Sequence, residues 1–502
     1  MNSGSRTAVA LLTAGLVTMT VASVPAQATP ARGGSYSTAI NHPVRDDMFP
    51  SKGDTVVDAL HYDLHLRWHR VSRKLVASEV LRFRAARNAH QFNLDLADTL
   101  RVGRVSLDGH RVRVTRHGAH KIVFHRAVHR GSRHTLRLSY RGRPVPVWLR
   151  STRVGGASMP LGWMTNARGE AYTAQDEPFG AFTWYAVNDQ PSDKALYDFH
   201  IVAPKHWVGV ANGLLESRTK RHGRTVTHWH LSTPASSYLT TVGIGPYKET
   251  VDHRVKGLPI TYWTPRSQPW TLTKVRYAAK AVKWLQRRVG RFPFPTLGIL
   301  VAPEGGMETQ TMVTLGRDKY TLSKDTIVHE IAHQWFGDEV SPERWHDGWL
   351  NEGWATYLAE ATWSSHGSKR LLKYTLTYWD MLAPDFRRVG GPPARPHKDS
   401  AFDSNIYYIP ALMWDLVRRK IGDRRFWRIA AQWPREHRFG NASYATAVRW
   451  WSRKTGRDLR PMFHRWLVGK LQPHWSPHPG SPRLSTRADA SLAAPRLPDG
   501  PK

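Results

Sequence analysis

Between residues 326 and 356 the chain reads TIVHEIAHQWFGDEVSPERWHDGWLNEGWAT, so His329, Glu330 and His333 form an H-E-x-x-H group and eighteen residues separate it from Glu352. On an α-helix, positions i and i+4 share a face, which turns two imidazoles toward one point and leans Glu330 toward the space beside them. Two imidazoles and one carboxylate are the donor set of a Zn²⁺ ion with an open fourth position, so the spacing predicts one zinc per chain held by His329, His333 and, from a following helix, Glu352.

The flanking residues decide against a surface helix with two solvated histidines. Ser323 can cap the helix, Ile327, Val328, Ile331, Ala332 and Trp335 give it an apolar flank, and Gly337 can end it. The second segment, WLNEGWATYLAEATW, is helical and mostly apolar, with Glu352 set among Trp349, Leu350, Trp354 and Tyr357. Buried histidines and a buried unpaired carboxylate are costly, so both segments call for a cation.

At these residues the chain resembles the aminopeptidase N family of gluzincin metallopeptidases. Gly305-Gly306-Met307-Glu308-Thr309 is similar to the family's G-[AG]-M-E-N motif, with Thr309 where Asn is usual, and the resemblance implies that Glu308 binds a substrate's free α-amine. Ala174-Gln175-Asp176-Glu177 is similar to the T-Q-x-E segment, whose Gln and Glu line the same amine pocket; Trp184 and Asn188-Asp189-Gln190-Pro191 follow it. Ile406-Tyr407-Tyr408-Ile409-Pro410-Ala411 falls where the family carries Y-x-K-G-A, which makes Tyr407 the expected transition-state donor, with Tyr408 beside it as the competing candidate. The likeness runs from about residue 55 to 470. It implies an α+β chain: an all-β, saddle-like N-terminal domain followed by a thermolysin-like, mostly helical peptidase domain, in a short, two-domain form with an open cleft.

In that frame Glu330 is the general base toward an attacking water, and the phenol of Tyr407 is the implied partner of the oxyanion. Glu308 and Glu177 decide between exo and endo action, because two carboxylates beside a catalytic zinc make a site for an ammonium group. The expected activity is therefore that of an aminopeptidase on peptides with a free N-terminal amine. A thermolysin-like endopeptidase is the second reading, and a basic exported binding protein with a structural zinc the third; Glu308 with Glu177, and Glu330, argue against them in turn. Glu304 borders the first side-chain pocket by resemblance, and Asp347 is expected either behind a zinc histidine or as a helix cap.

Residues 1–28 carry Arg6, an apolar run and Ala26-Gln27-Ala28, the pattern of a secretory signal peptide, so a secreted protein beginning near Thr29 is expected. Thr13, Thr18 and Thr20 interrupt the run and favour cleavage over anchoring, and no other stretch is long and apolar enough to span a bilayer. With no cysteine, an exported chain depends on its own core. The formal net charge is +34, and between Arg101 and Arg153 thirteen Arg and Lys121 face the single acid Asp108. Such a surface is either a solvated face or a weak, nonspecific binder of polyanions; aromatic residues there are sparse and no nucleic-acid motif is present.

Periodicity divides the rest. Residues 29–50 read as a polar leader, and 51–248 as the β domain, from alternation such as Tyr62, Leu64, Leu66, Trp68 and the Asp108-Gly109 hairpin signal. Residues 249–470 read as the catalytic domain, with helices over 272–289, 410–421, 425–433 and 445–454 and an apolar strand over 296–302. Residues 471–502 are rich in Pro, Ser, Ala and Arg and read as a disordered tail.

Overall fold

In the first half, apolar residues alternate with polar ones and the backbone follows as strands. The computed structural model of the protein describes, apart from Met1, residues 36–150, 158–173, 175–398, 400 and 402–475. The expected signal peptide and the tail beyond residue 475 lie outside the described residues. An eight-stranded sheet runs in the order Leu214–Arg221, Arg224–Ser236, Lys194–Ala203, Val57–His69, Lys74–Ala85, Arg133–Gly142, Leu100–Leu107, His110–Arg111. Tyr62, Leu64, Leu66 and Trp68 all face inward and are buried, sharing one apolar core with a three-stranded sheet (Phe92–Asp95, Lys121–Phe124, Val114–His117) and a four-stranded one. Asp108 and Gly109 take φ of 52° and 85°, the left-handed pair that a two-residue hairpin turn requires.

Strand Tyr247–Asp252 opens a five-stranded sheet, in the order Tyr247–Asp252, Ile260–Pro265, Leu297–Val301, Met312–Leu315, Gly306–Met307. Helices cover it and enclose a second, larger apolar core. The order is thus a β-rich N-terminal part followed by a mostly helical one. Among the described residues no helix is long and apolar enough to cross a membrane.

Several elements differ from expectation. The helix expected over 272–289 is two, Trp270–Val275 and Ala278–Val289, because the chain tightens where Tyr277 N–H donates to Lys274 O at 3.1 Å. The helix expected from Pro410 begins at Ser404, after Asp403, so Pro410 sits inside it. A Cβ at Gly353 would meet Pro410 Cβ at 2.5 Å, and this near contact of two helices supports the proline where a backbone hydrogen bond is lost. The stretch expected as one helix over 425–433 is Asp423–Ala430 and Trp433–Glu436, and helix Lys369–Gly390, interrupted in sequence pattern by Pro384, was not expected at all.

Residues 36–50, expected as a leader outside the domain, are tied to both halves: Asn41 Nδ2 donates to Lys194 O at 2.7 Å, and Asp46 Oδ2 accepts from Trp345 N at 2.7 Å. At the other end Trp475 is buried and its indole Nε1 donates to Asp415 Oδ2 at 3.1 Å, so the start of the expected tail is docked. Lys194 is fully buried and its Nζ donates to Asp338 O, Glu339 O and Gly440 O at 2.9, 3.2 and 3.2 Å, joining the β half to the helical half.

Candidate active site

Ser323 Oγ accepts from Thr326 N at 3.2 Å and starts helix Lys324–Ala332, which carries His329 and Glu330, with His333 as its C-cap residue. Gly337, at φ 135°, then turns the chain toward helix Trp349–Thr356, which presents Glu352. Glu352 Oε2 lies 3.2 Å from His329 Nε2 and 3.5 Å from His333 Nε2, and all three side chains are buried. Ligands bound tetrahedrally at about 2.0–2.1 Å stand about 3.3–3.4 Å from one another, so the three donors are already spaced for zinc. His333 Nδ1 is 3.1 Å from Phe336 O, a contact that directs Nε2 toward the shared point.

The electrostatics agree. Burial alone would depress the His333 imidazole, yet Glu308, Glu352 and Glu330 around it push it up to about 10. Burial would raise Glu352, but His333 and His329 hold it well below the usual carboxylate range. A pocket that draws a proton so strongly onto His333 is built to hold positive charge.

Glu308 follows the short strand Gly306–Met307, the edge of the five-stranded sheet, which pairs antiparallel with Met312–Leu315. Gly305, at φ 142°, makes the turn into that strand. Carboxylate oxygens of Glu177, Glu308 and Glu352 lie within 4.8 Å of one another, and so do ligand-type atoms of Glu308, Glu330 and His333. Four carboxylates from separate segments thus meet at the two motif histidines. Gln175 is half-buried and its main-chain oxygen accepts from Gly162 N at 2.7 Å. Thr309, in the position where Asn was expected, turns its hydroxyl onto Met312 O and Thr314 Oγ1, closing the loop. Tyr407 and Tyr408 separate cleanly: the Tyr407 ring lies 6.3 Å from that of His329, whereas Tyr408 sits 5.0 Å from Trp379 and 5.3 Å from Phe386.

Asp347 does not reach a zinc histidine, nor does it cap the helix after it. Its Oδ1 accepts from Tyr444 N at 2.7 Å, because it lies at the end of a separate turn, Trp345–Asp347. The carboxylate behind His329 is instead Glu360, whose Oε1 is 3.6 Å from Nδ1. Glu360 stands eight residues after Glu352 on the wide π-helical turn Tyr357–Trp363, and that spacing was its sequence signal. Gln334, next to His333, was also missed: its Nε2 donates to Glu308 O at 2.8 Å and its Oε1 accepts from Thr311 N at 3.0 Å, clamping the motif helix to the Glu308 loop. Glu304 is exposed.

Two models of one family match the chain: the peptidase M1 N-terminal domain over residues 58–239 and the peptidase family M1 domain over residues 278–466. The chain belongs to peptidase family M1. This M1 chain is 27% identical over 362 residues to aminopeptidase N of Streptomyces lividans, covering 63% of its own length and 40% of that protein. It is 25% identical over 322 residues to the mitochondrial aminopeptidase 2 of Saccharomyces cerevisiae, covering 59% of itself and 33% of that protein. The chain therefore spans less than half the length of these curated relatives. A solved M1 zinc metallopeptidase from Deinococcus radiodurans, a mutant bound to a Tyr-Ser-Ala substrate, superposes with a TM-score of 0.73 at 25% identity, over 87% of this chain and 100% of that one.

Proposed function

We propose that the protein is a secreted zinc aminopeptidase that removes N-terminal residues from peptides. The observation that carries this reading is the convergence of the Glu177 and Glu308 carboxylates with Glu352 beside the two motif histidines. Export rests on the sequence pattern of residues 1–28 alone. One zinc, held by His329, His333 and Glu352, would supply Lewis-acid polarisation of the scissile carbonyl and bring a water's pKa toward neutrality.

The protein's own groups do the rest. Glu308 and Glu177 accept the hydrogen bonds of the substrate's α-ammonium, which fixes the chain end and places the first peptide bond over the motif helix. Gly305, Gly306 and Met307 form the wall along which the substrate lies, with Gln175 completing the amine pocket. Glu330 takes the proton of the attacking water and returns it to the leaving amine. The Tyr407 hydroxyl donates to the oxyanion as it develops.

The relatives' names support the substrate class: two are called aminopeptidases, and the Deinococcus enzyme is described with a tripeptide. The test compares aminoacyl fluorogenic amides, with and without chelator, against their N-acetyl counterparts and an internally quenched, N-blocked peptide. Chelator-sensitive cleavage of the free-amine substrates alone is expected. Efficient cleavage of either blocked substrate would move the assignment to an endopeptidase.

A weak attraction to polyanions is the second partner reading, and one observation favours it: every arginine between 101 and 143 is exposed. Lys121, by contrast, is paired with Asp95 at 2.8 Å.

A further inference from the structure

The outward face of the eight-stranded sheet carries a second gathering of ligand-type side chains, sharing no residue with the cleft. On strands Val57–His69, Lys194–Ala203 and Arg224–Ser236 the register sets Asp63, Asp198 and His230 in one row and His65, His200 and His228 in the next. Their neighbours Tyr62, Leu64, Tyr197, Phe199 and Trp229 are buried in the core, so the two-residue period of the strands turns all six outward. A single column of histidine on a sheet face is unremarkable; a grid of imidazoles interleaved with two aspartates is a donor array.

The two aspartates are used differently. Asp198 is fully engaged, with Oδ2 2.8 Å from His61 Nε2 and Oδ1 2.8 Å from His228 Nε2 and 2.9 Å from His230 Nδ1. Asp63 Oδ1 is closed off from solvent, with His65 Nε2 and His200 Nε2 at 3.1 and 3.5 Å. One ligand-type atom from each of Asp63, His65 and His200 lies within 4.8 Å of the others. These separations bracket the edge of a tetrahedron around an ion bound at about 2.0–2.1 Å.

We propose that Asp63, His65 and His200 form a second metal site, on the exterior of the β half, that takes a divalent transition-metal cation such as Zn²⁺, Ni²⁺ or Cu²⁺. Two imidazoles with one carboxylate are the donors these ions prefer, whereas Ca²⁺ and Mg²⁺ need more oxygen ligands than the face offers. His65 stacks on His200 with centroids 4.3 Å apart and planes 7° apart, and His200 stacks on His228 at 4.2 Å, so the three rings stand in file along one row of the sheet. Asp198 holds His228 in place, which makes His228 a positioning residue for His200.

The side chains of Asp63, His65 and His200 are 27%, 50% and 29% exposed, so the outer coordination positions face water and the ion exchanges more readily than one in the buried cleft. The protein then binds about two equivalents of zinc, one in each place. Zinc titration of the intact protein, read by isothermal calorimetry and by metal content after dialysis, tests this. The wild type is expected to hold two equivalents and the His65→Ala/His200→Ala variant one, with peptide hydrolysis unchanged. His228→Ala is expected to retain the outer site with roughly tenfold weaker affinity, as loss of a supporting group does. Equal stoichiometry in wild type and double variant would overturn the proposal. Should the double variant fail to fold, Cu²⁺ added to wild type is expected to broaden the imidazole signals of His65 and His200 first, and the Asp63→Asn variant to lose that selectivity; broadening elsewhere alone overturns the site.

Discussion

The cleft and the outer face of the large sheet use the same side chains with opposite charge balance. In the cleft four carboxylates, Glu177, Glu308, Glu330 and Glu352, meet two imidazoles, and all six side chains are buried. On the sheet five histidines surround two aspartates near solvent, and His228, His230 and His61 hold Asp198 well below the usual range although burial pushes it up. Buried excess negative charge must be met by cations from outside the chain, which is what a metal and an ammonium provide. The exposed array already sets its carboxylates against imidazoles, so an ion there adds to a bonded network. Similar donors thus give a demanding site where they are buried and a permissive one where they lie near the surface.

The largest test of this contrast is Glu330→Gln, which removes a base and leaves the ligands. Turnover is expected to fall by about 10²–10⁴-fold with zinc content unchanged; near-wild-type rates in the zinc-loaded variant would strip Glu330 of its role. Next comes Glu308→Ala, for which kcat/KM on free-amine substrates should drop roughly ten- to a hundredfold, through both kcat and KM, as a charge-assisted hydrogen bond is lost. Glu177→Ala should act in the same direction but less, and unchanged kinetics in both would break the link between carboxylate excess and amine binding. Glu360→Gln should weaken zinc retention about tenfold in chelator competition, if the carboxylate behind His329 steadies that ligand.

Glu79 sharpens the same point from within the β half. It is fully buried and, among the described residues, accepts from Tyr140 OH and Ala186 N at 3.1 Å each with no cation paired to it, and burial pushes it up to about 8. A carboxyl with its folded value above its unfolded one contributes stability that is complete below about 4.5 and is lost as pH rises through about 8. Denaturant midpoints of wild type and Glu79→Gln, measured from pH 4 to pH 9, should therefore diverge, the wild type losing up to a few kcal/mol relative to the variant. Parallel profiles would mean that the carboxyl is charged after all. The smallest effect expected is on heparin, where the exposed arginines should give retention that weakens steeply with salt; elution with neutral proteins would reduce them to solvated surface.

Much of this was legible in the chain because burial leaves a period. Tyr62, Leu64, Leu66 and Trp68 announce their strand, and Ser323 caps the motif helix as expected, although that helix ends at His333, ahead of the stop expected at Gly337. The grouping of His329, His333 and Glu352 was legible because their spacing is set by one helix and its successor. What the sequence concealed depends on contacts between distant segments. Pro410 looked like a helix start because nothing nearby shows that Gly353 lies against it, and helix Lys369–Gly390 has both an internal proline and exposed apolar residues such as Met381 that blur its pattern. Asp347 and Glu360 were interchanged for the same reason: sequence proximity to the motif favoured the first, while the π-helical turn brings the second to His329. Gln334 was hidden in plain view, since a glutamine after H-E-x-x-H says nothing until the loop it clamps is placed.

Lys194 bears on anyone who would build chimeras of this chain. Its ammonium, lowered to about 7 by burial, is the donor shared by three carbonyls of the helical half, two of them just past the motif helix. A graft of this helical half onto a foreign β half would leave those oxygens without the lysine that now satisfies them. Transplanting the lysine with its strand, rather than cutting at the boundary between the two sheets, is the design rule that follows: the seam for recombination runs through the β half, upstream of residue 194.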